Sequence, residues 1–162
     1  MQTAICPGSF DPITLGHLDV IRRAATMFER VVVCVVANSN KRSFFTLEER
    51  QEQVRRVTAA FPNVEVDTWG GLLVDYAAQF QHPVVVRGLR AVSDFEYEFM
   101  MALTNKKLNP VVETVFLAAD ERYTYLSSST VREIAGYGGD VSRFVPEEIL
   151  VELERKISGR NR

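Results

Sequence analysis

Residues 2–37, QTAICPGSFDPITLGHLDVIRRAATMFERVVVCVVA, decide the fold. An apolar run at 2–6 comes first, and a second at 31–37 closes the stretch. Between them Leu18, Ile21, Ala24, Ala25 and Phe28 recur at the spacing of one helix face. Strand, helix, strand in so short a length implies a right-handed crossover between parallel neighbours. The Gly/Pro-rich segment CPGSFDPITLGH (6–17) reads as the connection from strand to helix, about ten residues long, where about 2–6 are usual.

The same alternation continues outward. Further strand candidates lie at 64–69 (VEVDTW), 83–87 (PVVVR) and 112–118 (VETVFLA). Their near-continuous Val, Ile and Leu content suits strands covered on both faces. Helix candidates fill the gaps. One follows Thr46, which has capping-box spacing to Glu49, and a weaker one covers about 72–80. Another opens on a second pair of that spacing, Ser93 and Glu96, and ends with Lys106 and Lys107 in its last turn. Two more lie at 129–136 and from Pro146 onward, with Glu147 and Glu148 in the first turn of the latter. The expected architecture is α/β: a Rossmann-like, doubly wound, five-stranded parallel sheet with C-terminal helices, in one domain spanning 1–162.

Composition limits the partners. The 162 residues are 46% hydrophobic and 25% charged with a net charge of −2, so there is no bulk basic field for nucleic acid or an anionic membrane. Any bound anion must be held by a local cluster of donors. Cys6 and Cys34 lie in apolar runs and read as buried free thiols. No secretory signal pattern opens the chain, and its longest apolar run, VVVCVVA, is far below the roughly 20 residues that span a bilayer. A cytoplasmic protein is expected.

In an open α/β sheet, ligands bind at the carboxyl ends of the strands, where the strand order reverses. Four loops fall there. The first carries Ser9, Phe10 and His17, the second Lys41 and Arg42, the third Arg87 and Arg90, and the last the run SSST at 127–130. Arginine forks bind phosphate bidentately, lysine adds a point charge, and a helix start offers unpaired N–H groups. Each loop has an ordinary explanation by itself: a turn serine, a surface histidine, solvated charges, a helix cap. Together they point to phosphate, and the chain contains neither a P-loop nor a GxGxxG fingerprint. Glu96 and Glu98 read as cap and helix surface, His82 as structural, and Trp69 with the phenylalanines as mostly core.

GSFDPITLGH (8–17) resembles the T-x-G-H signature of the adenylyl- and cytidylyltransferase superfamily, and YLSSSTVRE (125–133) its second signature. With NKRSFFTLEER (40–50) and RGLRAVSDFEYE (87–98), the whole chain is similar to the phosphopantetheine adenylyltransferases. That resemblance implies transfer of AMP from ATP to 4′-phosphopantetheine, giving dephospho-coenzyme A and pyrophosphate, with Mg2+ held mainly by ATP phosphates and water. It assigns acceptor contacts to Ser9, Lys41, Leu73 and Arg87. It assigns ATP contacts to Ser9, Phe10, His17, Gly88, Leu89, Arg90, Glu98, Tyr123, Thr124, Tyr125, Leu126, Ser127, Ser128 and Ser129. His17, Lys41 and Arg90 become the catalytic group, acting on a direct in-line attack at the α-phosphorus. Ser9 stands where many members have Thr, and Tyr123 where many have Trp. The resemblance further implies a homohexamer and feedback inhibition by coenzyme A. Other acceptors on the same chemistry (nicotinamide mononucleotide, or glycerol phosphate with CTP) and a non-catalytic nucleotide sensor remain as alternatives.

Overall fold

The computed structural model describes residues 2–37 and 42–160. Among them the chain runs β1 (Thr3–Gly8), α1 (Leu15–Met27), β2 (Arg30–Val36), α2 (Leu47–Thr58), β3 (Val64–Trp69), α3 (Leu73–Ala77), β4 (Pro83–Leu89), α4 (Val92–Leu108), β5 (Glu113–Ala118), a 3₁₀ turn (Glu121–Tyr123), α5 (Ser128–Gly136) and α6 (Glu147–Arg160). All pairings are parallel, in the order β3-β2-β1-β4-β5, so the sheet is doubly wound and reverses direction between β1 and β4.

Alternation along the central strands divides the core. Ala4, Cys6, Val31, Val33 and Val35 face the larger cluster with Ile21, Val54, Val131, Ile149 and Leu153 from the helices. Ile5, Val32, Cys34 and Val85 face the smaller one, with Tyr76 and Ala77 of α3. Burying one such aliphatic side chain contributes about 1.5–3 kcal/mol. The edge strands depart from the expectation of two covered faces: Glu65 and Asp67 of β3 and Glu113 and Ala118 of β5 are exposed. Both cysteines are free and buried, as expected, and burial pushes each thiol up to about 12.

Two local readings change. β1 extends through Pro7 to Gly8, and α1 begins at Leu15, so the connection is residues 9–14, an ordinary length. Pro7 is tolerated because its carbonyl, and with it the side that lacks an N–H, faces a gap beside β4 rather than the β2 ladder. α4 begins at Val92 after Ala91, so Ser93 caps nothing; the Asp94 carboxylate instead turns back to accept the Arg90 N–H at 3.2 Å. The box at Thr46 and Glu49 is present as read, and α1 has another that was not anticipated, Thr14 with His17.

Candidate active site

The strand pairing creates the site. β1 pairs with β2 through six residues, Thr3 to Gly8, but with β4 through only three, ending at Ile5↔Val85. Beyond that pair the two central strands part, and a side chain spans the gap. Arg87 donates from Nη1 to the Pro7 carbonyl (2.8 Å), while its Nε and Nη2 bind both oxygens of Glu98 (2.9 and 2.7 Å). Arg90 repeats the arrangement three residues on. Its Nη1 donates to the Leu126 carbonyl (2.8 Å), and its Nε and Nη2 bind Asp94 (2.9 and 3.1 Å). That contact holds the Asp94 carboxyl below its usual range. Each arginine is thus fixed by one carboxylate of α4 and one main-chain carbonyl, with further N–H groups left to donate.

His17 is the third residue of α1 and closes the helix start against Thr14. The Thr14 N–H donates to His17 Nδ1 (3.0 Å), and the His17 N–H donates to Thr14 Oγ1 (3.3 Å). A main-chain N–H can only donate, so Nδ1 is the acceptor and the ring proton sits on Nε2. Burial, with the positive charges of Arg87 and Arg90, pulls the imidazole down to about 4. At neutral pH, His17 is therefore a neutral, oriented N–H donor. The Phe10 ring meets it edge-on, 5.1 Å between centroids at 73°.

The connection 9–14 is locked from several sides. Phe10, at φ 47°, and Ile13 are buried. A Cβ on Gly8 would stand 3.0 Å from the Phe10 Cζ, so a glycine there lets the Phe10 ring pack against the end of β1. Asp11 accepts from the Phe44 and Phe45 N–H groups (2.8 Å each), Arg132 donates to its carbonyl, and Ser128 Oγ donates to the Pro12 carbonyl (2.8 Å).

Two clefts open at the strand ends. The first, about 330 Å³, is walled by Cys6 through Phe10, His17, Val20, Arg87, Gly88, Arg90, Asp94, Glu98, Asp120, Tyr123, Leu126, Ser127 and Ser128. The second, about 340 Å³, is walled by Val36, Trp69, Gly71, Leu73, Tyr97, Met101, Ala102, Asn105 and Thr114. They share Pro7, Gly8, Ser9, Arg87 and Glu98. The first combines a neutral donor, a fixed guanidinium and the N-terminus of α5, which suits a polyphosphate. The second is largely apolar with a few amides and hydroxyls, which suits a longer uncharged arm.

Of the expected residues, the first cleft gathers Ser9, Phe10, His17, Arg87, Gly88, Arg90, Glu98, Tyr123, Leu126, Ser127 and Ser128, and the second gathers Leu73. Leu89, Thr124, Tyr125 and Ser129 stand outside both walls. Lys41 lies outside the described residues. Two hydroxyls of the 127–129 run are already engaged: Ser127 caps α5 through the Thr130 N–H (3.1 Å), and Ser128 binds Pro12. Glu98 is no surface residue, since it clamps Arg87 from within the cleft. Trp69 is half-buried, packing against the smaller core cluster and also lining the second cleft, whereas Phe95 and Phe99 are exposed on α4. His82 directly precedes β4, at the edge of the sheet opposite the clefts. Asp94, Trp69 and Thr14 were missed; a Thr three residues before His17 was the one signal available, and no pattern marks the other two.

The cytidylyltransferase-like family matches residues 5–134. Phosphopantetheine adenylyltransferases of Caldanaerobacter subterraneus and Alkaliphilus metalliredigens are each 53% identical over 96% of this chain and cover 98% and 99% of their own lengths. The chain belongs to the phosphopantetheine adenylyltransferase family. The enzyme of that name from Clostridium tetani is 48% identical over 99% of the chain and all of its own length. A solved structure described as a nicotinate-nucleotide adenylyltransferase, from Vibrio parahaemolyticus, superposes with a TM-score of 0.69 over 94% of this chain and 97% of its own. At 17% identity it attests the fold alone. Membership in the phosphopantetheine adenylyltransferase family agrees with two unlike clefts that meet at one wall.

Proposed function

We propose that this chain transfers the adenylyl group of ATP to 4′-phosphopantetheine, forming dephospho-coenzyme A and pyrophosphate in coenzyme A biosynthesis. The observation that carries the reading is the junction of the two clefts at Ser9, Arg87 and Glu98. ATP occupies the cleft with His17, Arg90 and the α5 N-terminus; the pantetheine arm occupies the one with Trp69, Leu73 and Met101. The acceptor phosphate then lies at the shared wall, beside the α-phosphorus. One domain, 1–162, carries both substrates.

Phosphoryl-type transfer needs placement and charge stabilisation more than covalent help. The acceptor phosphate attacks the α-phosphorus in line, an O–P bond forms, and the bond to the bridging oxygen breaks as pyrophosphate departs. No side chain becomes adenylylated. His17 Nε2–H donates to an α-phosphate oxygen as charge builds there. Arg90 shares that load, with Lys41 and Ser129 assigned by resemblance alone, and the N–H groups at Ser127 and Ser128 hold the pyrophosphate. Mg2+ supplies charge neutralisation on the ATP phosphates. Asp94 and Glu98 are paired with arginines, and no group of three or more His, Cys, Asp or Glu gathers among the described residues. This donor set fits a metal that arrives on ATP and keeps its waters.

The exposed apolar residues of α4, Val92, Phe95, Phe99, Met100 and Leu103, support self-association, and the number of copies, a homohexamer, is assigned by resemblance alone. Coenzyme A, which carries the same pantetheine arm, fits as a feedback inhibitor competing for the second cleft. No described helix is long and apolar enough to cross a membrane, and a cytoplasmic location suits the substrates. The test supplies ATP, or CTP for glycerol phosphate, with each acceptor in turn and follows pyrophosphate. Release with 4′-phosphopantetheine and not with nicotinamide mononucleotide or glycerol phosphate is expected; no release with any acceptor would leave a nucleotide sensor.

A further inference from the structure

The β2 flank of β1 holds an arginine that neither cleft contains. Arg50 of α2 is 3% exposed, and its Nη1 donates to two main-chain carbonyls, Ser9 (2.7 Å) and Val36 (3.0 Å). These residues come directly after the last β1–β2 register pair, Gly8↔Val35. One guanidinium nitrogen therefore continues the sheet for one step, where the two chains would otherwise separate. The Arg50 Nε is buried with no hydrogen-bond partner. Leaving a buried donor unanswered is unfavourable, and an apolar side chain could fill the same space without it. What the guanidinium adds is a fixed grip on the two carbonyls.

That grip has a counterpart. Asp11, two residues after Ser9, binds the Phe44 and Phe45 N–H groups. The segment 9–11 is thereby attached to the end of β2 through Arg50 and to the approach to α2 through Asp11. Ser9 sits in the wall common to both clefts, with Arg50 behind it.

We propose that Arg50 is a positioning residue for adenylyl transfer: it holds Ser9 from behind the sheet at the point where acceptor phosphate and ATP must meet. The proposal rests on the adenylyltransferase reading above. Misplacement by about 1 Å at a reacting centre costs on the order of 10² in rate. Each substrate also lies against many other residues of its cleft, so turnover bears most of the loss and substrate affinity little of it.

R50Q and R50K are compared with wild type in steady-state pyrophosphate release, below the unfolding midpoint of each. R50Q should lower kcat by about 10–100-fold with both KM values within about threefold, and R50K should fall between R50Q and wild type. In parallel, hydrogen exchange of the 9–11 amides should quicken about tenfold in either variant. A lower midpoint with kcat within about twofold of wild type, or unchanged exchange at 9–11, overturns the proposal. If R50Q does not fold, R50K decides by the same two readouts. If wild type itself releases no pyrophosphate, the adenylyltransferase reading has failed, and exchange alone judges the anchor.

Discussion

The two flanks of β1 are built to opposite ends. Toward β2 the ladder runs six pairs and is finished by a buried guanidinium; toward β4 it stops after three, and a guanidinium spans the opening. On both flanks an arginine answers a main-chain carbonyl that lost its strand partner, Ser9 on one and Pro7 on the other. The difference lies in what else can reach it. Arg50 is sealed in, whereas Arg87 is tied to Glu98 and lines both clefts. A parallel sheet can thus keep one flank of a central strand as a rigid reference and open the other as a binding site.

The sharpest way to test this contrast is to disable the chemistry of the open flank without loosening it. In His17→Asn the Asn Oδ1 can take the place of Nδ1 and keep the Thr14 bond, while the Nε2–H donor is lost. Turnover should fall by about 10²–10³ with a modest change in ATP binding, as for other lost charge-stabilising donors. A variant that turns over like wild type removes His17 from the mechanism.

A smaller effect should come from the width of the gap. A Cβ on Gly88 would stand 2.9 Å from Val20 Cγ2, on α1 one turn beyond His17. Gly88→Ala should push α1 from β4, costing about 1–3 kcal/mol of stability by overpacking and about tenfold in kcat through the displaced His17. Adding Val20→Ala makes room and should recover both. Thermal midpoints and kcat for the single and double variants decide it, and a double variant as impaired as G88A would show that contact to be irrelevant.

The last test reads the pH dependence of stability. His17 binds its proton more weakly when folded, at about 4 against an ordinary 6.5. Between those values the unfolded chain takes up more protons, so folding stability rises with pH across that window. The contribution is fully present above about pH 6.5 and is lost as pH falls toward 4. Midpoints measured from pH 4.5 to 7 should climb more steeply in wild type than in H17N; parallel curves would place the imidazole in an ordinary solvated setting.

Much of this was legible in the sequence because the relevant signals are local or periodic. Val/Ile runs alternating with helix-spaced apolar residues gave the strands and their winding, and the family motifs gave most of the first cleft. Sequence spacing failed where geometry depends on distant partners. Ser93 looked like a cap because its spacing to Glu96 was right, yet Asp94, tied to Arg90, set the start of α4. Trp69 reads as core and does pack against the smaller cluster, but β3 is an edge strand, so its last residue also lines the second cleft. Arg50 drew no individual reading, since nothing in its neighbours tells that its carbonyl partners lie 41 and 14 residues away.

Trp69 has an optical consequence. It is the chain's single tryptophan, its indole N–H is held by the Leu72 carbonyl at 2.9 Å, and its ring forms part of the second cleft and none of the first. Ultraviolet emission excited at the red edge therefore comes from one fluorophore, placed to sense the polarity of the second cleft. The protein carries its own dye for one cleft, so occupancy there can be followed by light while the first cleft stays dark.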